Sequence, residues 1–116
     1  MKVLYHIDEE SKWHMVLENT KNMLKYGREN NEEFEIEIVA NGIAVMGLIE
    51  HVAQKSKLYL EMDELSKEKV KFAACKNALN KFNPENSPMC AFATVVPAGV
   101  VEISKKQQEG YSYIRP

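Results

Sequence analysis

What this chain has little of narrows its function first. Basic charge is not in excess: 15 Lys and Arg stand against 17 Asp and Glu, giving a formal net charge of -2 and a pI near 5.9. A chain so balanced has no sequence-independent electrostatic hold on a phosphate backbone, so nucleic acid is not an expected partner. Long apolar runs are missing too. The longest uncharged apolar stretch, Pro88 to Val101, is broken by Pro97 and Gly99 and falls short of the roughly 20 residues that cross a bilayer. No membrane span is expected. At the amino end Lys2 alone precedes a short apolar run, and Asp8, Glu9 and Glu10 follow at once, the wrong charge order for a signal or transit peptide. The expected location is the cytoplasm. Cysteine is scarce: Cys75 and Cys90 are the only two, with no C-x-x-C and no neighbouring His pair. That excludes a disulfide framework and a zinc motif and leaves both thiols reduced. Glycine-rich phosphate loops are absent as well, since neither G-x-G-x-x-G nor a P-loop occurs. The first turn, His6 to Ser11, offers carboxylates where a phosphate would need close backbone N–H groups.

What is there suits one soluble domain over residues 1–116, with 45% hydrophobic and 28% charged residues. Lys2 to Ile7 crowds Val3, Leu4, Tyr5 and Ile7 into a buried strand. From Ser11 the period changes, and Trp13, Val16, Leu17, Thr20 and Leu24 recur at helical spacing until Gly27 offers a stop. Asp8 or Ser11 is the expected cap of that helix. Phe34, Ile36, Ile38 and Ala40 alternate with Glu33, Glu35, Glu37 and Val39, which predicts a second strand with one wet face.

Asn41-Gly42 admits two readings, a hairpin turn or a strand-to-helix turn. The stripe Ala44, Val45, Leu48, Ile49, Val52 favours the helix. Leu58 to Lys69 suits a short helix or an irregular crossover, and Val70 to Ala74 a third buried strand. Cys75 to Phe82 reads as the opening of another helix. Ala91 to Val96 is almost wholly apolar and predicts a central parallel strand covered on both faces. After the turn at Pro97-Ala98-Gly99, Val100, Val101, Ile103 and Gln107 suggest a helical face ended by Gly110, and Tyr111 to Arg115 a last strand. This alternation of strands and helices defines an α/β sandwich with a mainly parallel sheet. Right-handed crossovers then gather Asp8, Asn41, Cys75 and Pro97 on the carboxyl rim of the sheet, where ligands of such sheets sit.

Cys75 is the residue with chemistry to offer. A thiol at a strand end and helix start meets unpaired N–H groups that favour thiolate, and Lys76 and Lys71 would add to that field. Thiolate is the form that attacks or carries sulfane sulfur. The competing reading is a buried structural cysteine. Cys90, beside the strongly apolar fourth strand, reads as packing. His6, His14 and His51 are too scattered for a metal motif, so no metal is expected, and each reads as satisfied by a partner or facing solvent. Trp13 reads as core or subunit contact, and Lys105 to Glu109 as a solvated helix end.

Three segments together, Val70-Lys-Phe-Ala-Ala-Cys-Lys-Asn-Ala-Leu79, Val95-Val-Pro-Ala-Gly-Val-Val-Glu-Ile103 and Gln108-Glu-Gly-Tyr-Ser-Tyr-Ile-Arg-Pro116, resemble the DsrE/DsrF-like family. The opening strand and Asn41-Gly42 fit as well, so the resemblance covers nearly the whole chain. It implies a three-layer α/β/α sandwich of the DsrEFH type with a five-stranded sheet, assembled as trimers or hexamers. It also implies that Cys75 carries sulfur as a persulfide between donor and acceptor proteins, without an organic cofactor. Lys76, Asn77, Asn41, Gly42 and Pro97 would support that thiol. The chain departs from the family's paired-cysteine relays in having no second thiol adjacent to Cys75. The alternative reading is a non-catalytic oligomeric module that binds a small molecule or a protein, with a structural cysteine.

Overall fold

The computed structural model describes residues 1–116. Five strands form one sheet: β1 (Lys2–Ile7), β2 (Glu35–Ala40), β3 (Lys71–Cys75), β4 (Ala93–Val96) and β5 (Ser112–Ile114), in the order β4-β3-β2-β1-β5. Every pairing is parallel. Helix α1 (Trp13–Asn30) joins β1 to β2. A 3₁₀ segment (Gly42–Leu48), α2 (Glu50–Ser56) and α3 (Tyr59–Lys67) join β2 to β3, α4 (Lys76–Phe82) leads toward β4, and α5 (Gly99–Gln108) leads to β5.

The strand order decides which face each helix covers. From β1 to β4 each step moves the same way across the sheet, so right-handed crossovers stack α1 to α4 on one face. The step from β4 to β5 runs back over three strands, and the same handedness puts α5 alone on the other face. The core divides accordingly. Tyr5, Ile7, Ile38 and Phe72 of the sheet pack against Trp13, Val16, Leu17, Leu48, Met62 and Leu79. On the opposite face Leu4, Val39, Ala73 and Val96 meet Ile103 of α5 and Tyr111. The two outer layers are thus unequal: α1 buries Trp13, Val16, Leu17, Thr20 and Gly27, whereas α5 buries only Gly99 and Ile103.

Several sequence expectations change in detail. Gly27 does not stop α1. It lies buried inside the helix, where the missing side chain makes room for the Glu32 carbonyl and the Phe34 ring, and Asn31 ends the helix in the left-handed conformation with φ 52°. Neither Asp8 nor Ser11 caps a helix: Asp8 pairs with Arg115 at 2.7 Å, and the chain enters α1 through a 3₁₀ turn at Glu10–Lys12. The wet face of β2 is dry, because α5 lies over it and leaves Glu37 3% exposed. The helix after Asn41-Gly42 starts as 3₁₀ and breaks at Ile49, which is extended and bridges to Met89. Glu50 and Cys90 amides complete that strap, donating to Pro88 and Leu48 carbonyls at 2.9 and 2.8 Å. The fourth strand is an edge strand rather than a central one, with Thr94 exposed and Val95 44% exposed. Its apolar run is not matched by a neighbour on its outer side. Val100, Val101 and Gln107 of α5 are exposed too, since a lone helix on a sheet buries only the stripe that touches it.

Trp13 belongs to the core, stacked on Phe72, with Nε1 donating to the Ala44 carbonyl at 2.9 Å. Gly47 leaves the space that the indole fills, and a β-carbon there would overlap the ring. Gly47→Ala is therefore expected to cost about 1–3 kcal/mol through overpacking, read in denaturant melts as a lower midpoint with an unchanged slope.

Candidate functional site

The carboxyl rim on the α5 face carries the candidate site. Register places Asn41, the residue after β2, level with Cys75 at the end of β3. Cys75 also pairs with Val96, the last residue of β4. The residue after Val96, Pro97, is exposed, and the chain re-enters the structure at Gly99. A β-carbon on Gly99 would stand 3.3 Å from Asn41 Cγ and 3.3 Å from Cys75 Cβ. The first turn of α5 thus closes directly on these two side chains, and glycine is what permits the approach.

Cys75 lies between two helix starts. Its extended backbone caps α4, whose first residue is Lys76, and Gly99 brings up the first turn of the ten-residue α5. The leading amides of a helix have no intrahelical acceptor and carry partial positive charge, which stabilises an anion placed near them. No side chain caps α5. Asn41 Oδ1 accepts from the Gly42 amide at 2.8 Å, and its Nδ2 lies on the Gly99 side. Gly42, at φ +51°, makes the turn that lets the chain leave the rim over Asp8.

The thiol is enclosed. Cys75 is 4% exposed and belongs to the larger apolar cluster. Lys76 and Asn77 are exposed on the first turn of α4, and Pro97 is exposed at the rim. Of the residues singled out from sequence, the fold gathers Asn41, Gly42 and Cys75 around the start of α5. Lys71 sits at the far end of β3, four residues from the thiol. Cys90 is buried as packing, and burial, aided by Glu50, pushes its thiol up to about 11.

Sequence reasoning missed the polar residues under and beside α5. Glu37 is buried beneath the helix next to Glu102, and one of its oxygens, Oε2, has no partner. His6 shares a 2.7 Å hydrogen bond with Tyr113 through Nδ1, while its Nε2 is buried without a partner. Burial lowers the His6 pKa, and Arg115 acts in the same direction against Asp8. The signal for Glu37 was its place on an alternating strand that a later helix turned out to cover. A groove of about 870 Å³ lies at the opposite, amino rim among Lys2, Arg28, Glu35, Glu68 and Lys71, away from both thiols. Its mixed charges pair among themselves, as Arg28 does with Glu68 at 3.3 Å, so the rim with the thiol remains the candidate.

Fold and rim define a class: a small parallel α/β protein holding one thiol where a strand end meets two helix starts. The DsrE/DsrF-like family model matches residues 4–116, and the chain belongs to that family. Among solved structures, a protein of unknown function from Methanobacterium thermoautotrophicum, MTH1491, is similar at 31% identity and a TM-score of 0.83. The match covers 99% of this chain and 98% of that one. A comparison with curated proteins returned no match. No helix is long and apolar enough to cross a membrane.

The two thiols should separate in alkylation of the native protein. With its thiol held near 11, Cys90 is expected to stay unmodified by iodoacetamide at pH 8 and to react only after denaturation. Peptide mass spectrometry checks this, and native labelling of Cys90 at the rate of a free thiol would contradict the assignment.

Proposed function

We propose that this protein is a cytoplasmic sulfur carrier of the DsrE-like kind, with Cys75 as the acceptor and donor of sulfane sulfur. The observation that supports this most is the closure of the α5 first turn on Cys75 through Gly99. It puts a second set of unpaired amides beside the thiol that already starts α4. Such amides can hydrogen bond an anionic sulfur placed beside them. The step balances simply. Cys75 Sγ attacks the outer sulfur of a donor persulfide, R–S–SH. The new bond is Sγ–S, the bond broken is the donor S–S, and the donor leaves as R–S⁻ while the transferred sulfur keeps its hydrogen. Transfer to an acceptor thiolate is the reverse. Asn41 would stabilise the anion through Nδ2, and Gly42 and Pro97 would shape the rim. Lys76 and Asn77, exposed on α4, would contribute long-range charge and contacts to a docked partner. No organic cofactor enters. Donor and acceptor are proteins that present a persulfide or a thiol to this rim.

A second reading follows from the 4% exposure of Cys75. In it the cysteine is packing, and the protein is an oligomeric module that binds a small molecule or a partner. Incubation with a sulfane-sulfur donor separates the two. A 32 Da adduct at Cys75, absent in Cys75→Ser and removed by dithiothreitol, is the expected result, and intact folded protein without it would sink the carrier reading.

The assembly proposed with this function is a homotrimer or hexamer. Val100, Val101 and Tyr113 are large apolar side chains left exposed on and beside the thin α5 layer, and a second copy would cover them. Light scattering at micromolar concentration is expected to give three or six times the 13.3 kDa chain mass. A monomer would refute it.

A further inference from the structure

Glu37 has no part in the sulfur step, yet it lies under α5, the helix whose first residue, Gly99, packs against Cys75. Glu37 rises from the middle of β2 toward α5 and is 3% exposed. Glu102, on the first turn of α5, is the acidic neighbour that bears on it, and the buried Oε2 of Glu37 has no partner. A buried carboxyl with an unpartnered oxygen and a second acid nearby is held far more cheaply protonated than ionised. The other groups facing Glu37 are few: Lys106 of α5, Lys71 of β3, and the uncharged Leu4 of β1 in register with it. Glu35 and Tyr111, themselves hydrogen bonded at 3.2 Å, lie toward the amino end. α5 has little else to hold it, since Ile103 is its one large buried side chain.

We propose that a proton on Glu37 latches α5 onto the sheet, and that loss of this proton frees the helix and opens the α5 side of Cys75. The latch is a pH-sensitive gate over the thiol, and its regulatory meaning rests on the carrier reading given above. Burial, reinforced by Glu102, raises the Glu37 carboxyl to about 8 with α5 in place, and Lys106 and Lys71 do not offset it. Once the helix lifts, water reaches Glu37 and its pKa falls toward the ordinary 4.5. The closed state then binds one more proton than the open state over the interval between these values. Closure is strongest below pH 4.5 and weakens as pH rises toward 8, by up to roughly tenfold per unit, and is level above that.

Hydrogen–deuterium exchange of the full chain from pH 5 to 7.5, corrected for intrinsic rates, tests the latch. Amides of α5 from Ile103 to Gln107 are expected to lose protection with rising pH and to be less protected throughout than Val16 to Thr20 of α1. Glu37→Gln, which keeps the shape without the titration, should abolish the slope. Glu102→Gln, at a half-buried position, serves if the first variant fails to fold and should reduce it. The rate of Cys75 alkylation in the native chain relative to Glu37→Gln should rise several-fold over the same range, the thiolate fraction cancelling in the ratio. Equal slopes in chain and variants, or equal protection of α5 and α1, would overturn the latch. If α5 titrates as expected while Cys75 takes no sulfur, the latch stands and the carrier reading falls.

Discussion

The position of β5 beyond β1 constrains everything on the second face of the sheet. Because β4 and β5 occupy opposite edges, the chain must return across the whole sheet, and the handedness of parallel crossovers sends that return to the face the other helices leave bare. One ten-residue helix therefore does the covering that α1 to α4 share on the other side. Three features of the site follow. The helix starts at the carboxyl rim, so its unpaired amides arrive at Cys75. It passes over β2, so it buries a glutamate from a strand that otherwise alternates into solvent. It is a single layer with nothing outside it, so Val100 and Val101 on its outer side and Tyr113 beside it stay exposed.

The two faces differ in energy as well as in extent. Burying one Ile side chain is worth about 1.5–3 kcal/mol, and Ile103 is the single large apolar residue that α5 contributes. Ordering each backbone residue costs about 1–2 kcal/mol, and intrahelical hydrogen bonds recover only part of that in water. α1 buries Trp13, Val16 and Leu17 against the same sheet and gains further from the Trp13 hydrogen bond. Local opening begins where buried apolar contact is thin, which makes α5 sensitive to what lies beneath it. A buried carboxylate would work against docking, because taking charge out of water is expensive unless it is paired. A proton on Glu37 would remove most of that penalty.

Much of this was legible in the sequence because the informative contacts are local. The β1 apolar run, the α1 stripe and the Cys75 strand-to-helix junction are each written in a few consecutive residues, and each appears within a residue or so of its expected place. The family segments around Cys75, Pro97 and Tyr111 carried the fold class. What sequence reasoning misread depended on distant pairings. An apolar run such as Ala91 to Val96 looks the same at an edge as at the centre, and only strand order distinguishes them. Glu37 reads as a solvent residue in a period of two until a helix some sixty residues later lies on it. The break at Ile49 comes from Met89, far along the chain. Gly99 reads as a turn residue, and its role as the point of closest approach to Asn41 and Cys75 has no local mark.

Enclosure of Cys75 bears on chemistry in two ways that pull against each other. The partial charges at the starts of α4 and α5 act on any anion at the rim more strongly where water is excluded, because a lower dielectric lengthens their reach. The same exclusion restricts which partners can reach the sulfur. Helix amides and Asn41 Nδ2 are fixed in place by the fold, so they offset lost hydration without reorganising when the charge appears. In the carrier reading a persulfide at Cys75 would gain further from enclosure, since its outer sulfur would itself be open to attack by any passing thiol. A closed rim would keep stray thiols from that sulfur, and an open one would admit the proper partner. A carrier would therefore need a cover that moves at modest cost, and α5, which packs on Cys75 through Gly99 and buries one large side chain, is the element the carrier reading assigns to that part.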